Sequence, residues 1–113
     1  MINLKKNREF QIVYNSGKKS FGYYSLIFFK ENNEPFNRCG FVVSKKTGNA
    51  VCRNRLKRLF REYYRLNEKN LKTGYDIIFV AKRTAGEKFK TLSFEEMKKD
   101  LDRVLKISKL FRD

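Results

Sequence analysis

"SKKTGNAVCRNRLKRLFRE", Ser44 to Glu62, is the stretch on which the reading of this chain turns. It carries Lys45, Lys46, Arg53, Arg55, Lys57, Arg58 and Arg61 against a single acid, Glu62. Like charges at that density repel, so the segment is either disordered or neutralised by something outside the chain. Laid out at about 100° per residue with Leu56 at zero, Cys52, Leu59, Phe60 and Tyr63 fall within about 60° of Leu56. That is one apolar stripe. Asn54, Lys57, Arg58, Arg61 and Arg65 fall between about 100° and 200°, with Arg53 and Arg55 on the flanks. The charge is sorted, which is the signature of an amphipathic helix rather than a disordered tract. Gly48 and Asn49 suit a capping turn for a helix starting near Ala50.

The sorting also bears on the partner. From Arg38 to Arg65, nine basic residues stand against Glu62 alone, a net of +8. Pairs such as Lys57–Arg61 and Arg58–Arg61 each cost a few tenths of a kcal/mol in an isolated helix. A merely solvated face usually intersperses acids with bases. Phosphates remove the repulsion, and arginine forks hold them bidentately.

The rest of the chain agrees. Its 113 residues predict one domain, 1–113, with a single modest core. Eleven Phe and six Tyr exclude a disordered basic tail, and a formal charge of +15 on a compact body points to a polyanion, nucleic acid before an anionic membrane. No run approaches the ~18 apolar residues of a spanning helix. "MINLKKNREF" lacks the apolar core of a signal peptide, so the expected compartment is the cytoplasm. Cys39 and Cys52 have neither disulfide-framework nor CxxC spacing and read as small buried hydrophobes.

Catalytic chemistry is hard to find. The chain has no His, hence no imidazole base or ligand. Glu95, Glu96, Asp100 and Asp102 alternate with Lys98, Lys99, Arg103 and Lys106, the pattern of a solvated helix face. The residues suggest no nucleophile–base pair and no metal cluster.

Along the chain, "NREFQIVYNSG" predicts a short helix with Asn7 as N-cap and Gly17 just past its end, and Phe10, Val13 and Tyr14 on one face. "FGYYSLIFFK", Phe21 to Lys30, reads as a strand. "ENNEPFN" then makes a hairpin-like loop before a strand from Arg38 to Ser44. Gly74 marks a turn, and Tyr75 to Ala81 is an apolar run expected to be a central strand. Ser93 and Glu96 form a capping box, followed by Phe94, Met97, Leu101, Val104 and Leu105 at helical spacing. The class is α+β, a compact two-layer sandwich. Tyr24, Leu26 and Phe28 are assigned to one side of the second element, Ile27 and Phe29 to the other. Aromatics on both sides mean either two covered faces or one face kept for stacking bases, and the residues leave both open.

The whole pattern resembles the protein subunit of bacterial ribonuclease P. The resemblance rests on Ser44-Lys45-Lys46, Gly48, the Arg53-Asn54-Arg55 helix with its further basics, "EFQIVY" near the start and "DIIFVAKRTA" after it. It covers nearly the whole chain. Thr84 departs from it, standing where many members have proline, and the expected consequence is a change of stiffness. The resemblance implies the order α-β-β-β-α-β-α, with three strands before the Arg-Asn-Arg helix and a break near Gly22. It also implies a left-handed crossover, against the general right-handed rule. By this resemblance the protein binds a large catalytic RNA and the 5′ leader of precursor tRNA, in a ribonucleoprotein that cuts the leader off. The RNA carries the chemistry and needs Mg²⁺, with no cofactor bound by the protein alone. The matching RNA-contacting positions are Lys45, Lys46, Asn49, Arg53, Asn54, Arg55, Lys57, Arg58 and Arg61. Those matching the leader cleft are Phe10, Tyr14, Phe21 and Phe28, with Lys82 and Arg83 at its rim. A basic ribosomal protein or RNA chaperone is the alternative on charge alone.

Overall fold

The computed structural model describes residues 1–113. Its elements are α1 (Asn7–Ser16), β1 (Lys18–Phe21), β2 (Ser25–Glu31), β3 (Arg38–Val42), α2 (Ala50–Asn67), a 3₁₀ turn (Glu68–Asn70), β4 (Tyr75–Ala81), α3 (Arg83–Lys88) and α4 (Phe94–Ile107). The four strands form one sheet in the order β1-β2-β4-β3. β1 and β2 pair antiparallel, as do β2 and β4, whereas β3 runs parallel to β4. The helix of the quoted stretch, α2, therefore joins two parallel neighbours.

Alternation along the strands sorts the core. Ile27, Phe29, Cys39, Ile77 and Phe79 face α2 and α4, where they meet Leu56, Phe60, Tyr63, Tyr64, Leu101 and Leu105 in the main cluster. This sheet-on-helices packing is the sandwich. Met97 lies fully buried within it, as core filler. Phe28, Ile78, Val80 and Val42 point to the other face, which α1 covers only in part through Phe10, Val13 and Tyr14. Cys39 and Cys52 are both free and buried. Burial pushes the Cys39 thiol up to about 12.

The capping expectations hold for the two long helices. Asn49 Oδ1 accepts from the Cys52 amide at 2.9 Å, and Ser93 Oγ accepts from the Glu96 amide at 3.1 Å. Gly74 turns at φ +90°, a conformation that favours glycine. At α1 the start shifts by one residue. Asn7 is already helical, and it is the Glu9 carboxylate that accepts from the Lys5 and Lys6 amides.

Four expectations need correction. The single strand read from the residues at Phe21–Lys30 is two, as the resemblance implied, because the chain turns at Gly22–Tyr24, and β1 begins earlier, at Lys18. A carboxylate far along the chain causes the turn. Asp100 accepts from the Tyr23 amide (2.7 Å), the Tyr24 amide (2.9 Å) and Ser25 Oγ (2.8 Å). A Cβ at position 22 would lie 2.6 Å from Val104 Cγ2, so glycine lets the turn seat against α4. Asp100 itself is buried rather than part of a solvated face. Tyr24, placed in the turn, packs against the main core and not beside Phe28. Finally, the loop after β2 makes no hairpin, since β4 lies between β2 and β3.

Candidate nucleic-acid interface

The parallel pair β3 and β4 end at the same edge of the sheet, where β1 also ends and β2 begins. That edge collects the Ser44–Asn49 loop, the β1–β2 turn, Lys82, Arg83 and the N-terminus of α2. Close packing locks them together. A Cβ at Gly86 in α3 would lie 2.1 Å from the Thr47 carbonyl oxygen, and Lys82 Nζ donates to the Gly22 carbonyl at 2.9 Å.

Of the basic positions singled out above, Lys45, Lys46, Arg58 and Arg61 are exposed, while Arg53, Arg55 and Lys57 are half-buried. None of the seven forms an ion pair. Two are fixed by carbonyls instead: Arg53 Nη1 donates to Gly48 O at 2.8 Å, and Arg55 Nη2 to Leu92 O at 3.0 Å. These bonds aim the guanidinium groups without neutralising them. Asn49 has a structural task, since its carbonyl oxygen caps α2. Asn54 is exposed beside the cations. Farther along the helix, Arg65 is answered by Glu62 at 2.6 Å, which closes the unpaired stripe at Arg61.

The aromatic positions separate into a cluster and an outlier. Phe10, Tyr14 and Phe28 touch, with ring centroids 6.4 Å apart for Phe10–Tyr14 and 4.8 Å for the edge-on Tyr14–Phe28 pair. Phe10 sits over Gly40, where a Cβ would come within 2.5 Å of its ring. All three rings are half-buried, and burial raises the Tyr14 hydroxyl above its ordinary value. Phe21 is 58% exposed at the sheet edge, with Lys19 Nζ 5.7 Å from its ring centroid. By register Phe21 lies opposite Leu26 and Lys19 opposite Phe28, so all four side chains share the face that α1 leaves partly open. The surface is a shallow apolar floor with half-covered rings, exposed Phe21 and cations along its end.

No group of three or more Cys, Asp or Glu side chains is positioned to hold a metal ion. The inward carboxylates serve the fold: Asp76 takes Arg38 at 2.7 Å, and Asp102 accepts from Tyr63 Oη at 2.6 Å.

The family model for Ribonuclease P matches residues 2–109. The ribonuclease P protein component of Fusobacterium nucleatum is 56% identical over 110 residues, covering 97% of this chain and 99% of that one. The chain belongs to the ribonuclease P protein family. Solved structures agree with the fold. The RNase P protein of Staphylococcus aureus superposes with a TM-score of 0.87 at 32% identity, covering 99% of each chain. That of Thermotoga maritima, in complex with 1-(4-fluorophenyl)-2-thiourea, gives 0.85 at 32% identity over 91% of this chain and 96% of that one.

Three features of the ribonuclease P surface escaped the sequence reading. Lys19 joins the open face because β1 starts before Phe21. Val42, Ile78 and Val80 form its floor, which only strand order reveals. Thr84 does more than alter stiffness, since its hydroxyl donates to the Tyr23 carbonyl and ties α3 to the β1–β2 turn. A proline there has no such donor.

Proposed function

We propose that this subunit binds the catalytic RNA of ribonuclease P through the Ser44–Asn49 loop and the outer face of α2, and holds the 5′ leader of precursor tRNA along the open sheet face. The observation that carries this reading is the row of seven unpaired cations on one loop and one helix face, whose only acid, Glu62, is taken by Arg65. Lys45, Lys46, Arg53, Arg55, Lys57, Arg58 and Arg61, with Asn49 and Asn54 among them, then meet phosphates. Phe10, Tyr14, Phe21 and Phe28 offer ring faces to unpaired bases, and Lys82 and Arg83 meet the leader backbone at the rim. Stacking of this kind is tolerant of sequence, as a protein serving many precursors requires.

Hydrolysis belongs to the RNA in this reading, with Mg²⁺ held there to activate water and stabilise the leaving oxygen. The protein contributes positive charge between two polyanions, which lowers the Mg²⁺ the complex needs. The setting is the cytoplasm. No helix is long and apolar enough to cross a membrane. The test is reconstitution with the cognate RNA subunit and a precursor tRNA at low Mg²⁺. The expected result is no cleavage by the protein alone and strong stimulation of the RNA. Faithful 5′ processing by rigorously RNA-free protein would overturn it.

A further inference from the structure

At the opposite end of the sheet, β1 begins, β2 ends and β4 begins, about 20 Å from the signature loop by the length of a seven-residue strand. A cleft of about 380 Å³ opens there between the end of α1, the β1–β2 pair and the segment after α4, with Lys18, Lys30, Lys72 and Lys109 in its walls. A second cleft of about 360 Å³ shares Lys72 and Lys109 with it and adds Lys106 and Arg112. The acids that line them are Glu31 and Asp113. None of these six cations forms an ion pair, and Lys30 and Lys72 are half-buried.

The backbone carrying them is fastened in place. The Lys72 amide donates to Leu110 O at 2.7 Å, the Arg112 amide to Asn70 O at 2.8 Å and Arg112 Nε to Leu71 O at 2.9 Å. Lys109 sits at φ +59°, a left-handed turn that ends α4 and returns the chain to Leu71. Cations converging on a groove with their backbone held are arranged for a ligand that spaces negative charges along a line.

We infer that this groove is a second phosphate-binding site, which takes the sugar–phosphate backbone of a further segment of the RNA subunit. The inference rests on the reading of the chain as the protein of a ribonucleoprotein. It makes the subunit a bridge, with RNA held at both ends of the sheet and the aromatic face between them.

The test uses the full chain and the RNA subunit. The triple variant Lys30→Gln, Lys72→Gln, Lys109→Asn removes three charges, and asparagine suits the left-handed position. Its log affinity against log salt should flatten by roughly 2, at about 0.7 per lost contact, with the precursor-to-mature tRNA preference unchanged. Hydroxyl-radical probes tethered at Ile107→Cys and Val51→Cys, both exposed sites outside the proposed contacts, should cut two different RNA segments. An unchanged slope in the folded variant, with cutting from Val51→Cys alone, overturns the groove. Silence from both probes overturns the RNA-binding reading beneath it. Loss of binding to phosphatidylserine vesicles on removing the three lysines, with the RNA slope unchanged, would assign the groove to a membrane and overturn it too.

Discussion

Helices α2 and α4 lie on the same face of the sheet, and both bury an apolar stripe against it, yet they treat charge in opposite ways. On α4, Lys98 pairs with Asp102 at 2.7 Å and Arg103 with Asp100 at 3.1 Å, while Glu96 takes Lys88 of α3. On α2 the cations from Arg53 to Arg61 have no carboxylate at all. On α4 only Lys99 and Lys106 are left without a carboxylate. A helix whose charges are left open is incomplete until a polyanion arrives. The two sheet faces repeat the contrast: Phe29 and Phe79 are buried, whereas Phe28, Phe10 and Tyr14 are half-covered.

The largest expected effect lies on the closed side. Phe29→Ala should cost about 3–5 kcal/mol of stability, as buried Phe truncations do. Asp100→Ala strands the Tyr23 and Tyr24 amides and the buried Ser25 Oγ, and should cost about 3 kcal/mol at roughly 1 kcal/mol per orphaned donor. Urea unfolding measures both. A loss below about 1 kcal/mol for either would mean that the enclosed half of the molecule tolerates loss as a surface does.

The next effect lies on the open face. In the reconstituted holoenzyme, Phe28→Leu keeps much of the apolar volume but loses the ring. It should weaken precursor tRNA roughly 5- to 150-fold, the equivalent of about 1–3 kcal/mol for one stacked base, and leave mature tRNA unaffected. Equal weakening of both would return Phe28 to the core.

A direct comparison of the two helices follows. Arg58→Ala with Arg61→Ala should change stability by less than about 0.5 kcal/mol. It should also flatten the salt dependence of RNA binding by roughly 1.4, at about 0.7 per contact. Lys98→Ala with Lys99→Ala on α4 should leave that slope alone. Equal slopes from the two double variants would dissolve the contrast between the helices.

A further effect is alkaline. Burial raises Cys39 to about 12 and pushes Tyr63 and Tyr64 above their ordinary value. The folded state thus holds protons that the unfolded chain releases first. For Cys39 the stabilisation is complete below the unfolded thiol range near pH 9 and is lost as pH climbs toward 12. The urea midpoint should decline over that window, and Cys39→Ala should make the decline shallower.

Much of this was legible in the residues because it is short-range. The stripe through Leu56, Leu59, Phe60 and Tyr63, the Asn49 and Ser93 caps and the Gly74 turn are all set within a few positions of one another. The signature from Ser44 to Glu62, with its flanks, was enough to point to the family. Such patterns depend on helical and strand periodicity, and periodicity survives without knowing the neighbours.

What the tertiary structure alone decided involves contacts across long separations. The resemblance implies a break near Gly22, but its cause is tertiary: Asp100 acts 76 and 77 residues away to split the aromatic run into β1 and β2. The apolar run from Tyr75 to Ala81 already marks β4 as central, but only the fold shows that it enters between β2 and β3. That insertion creates the floor under Phe28 and gathers the cations of the signature loop with Lys82 and Arg83 at one end. The same strand directions bring Lys18, Lys30, Lys72 and Lys109 together at the other end. The sequence states which residues carry charge and rings, but a surface is made of residues from distant positions, and only the packed sheet brings those positions together.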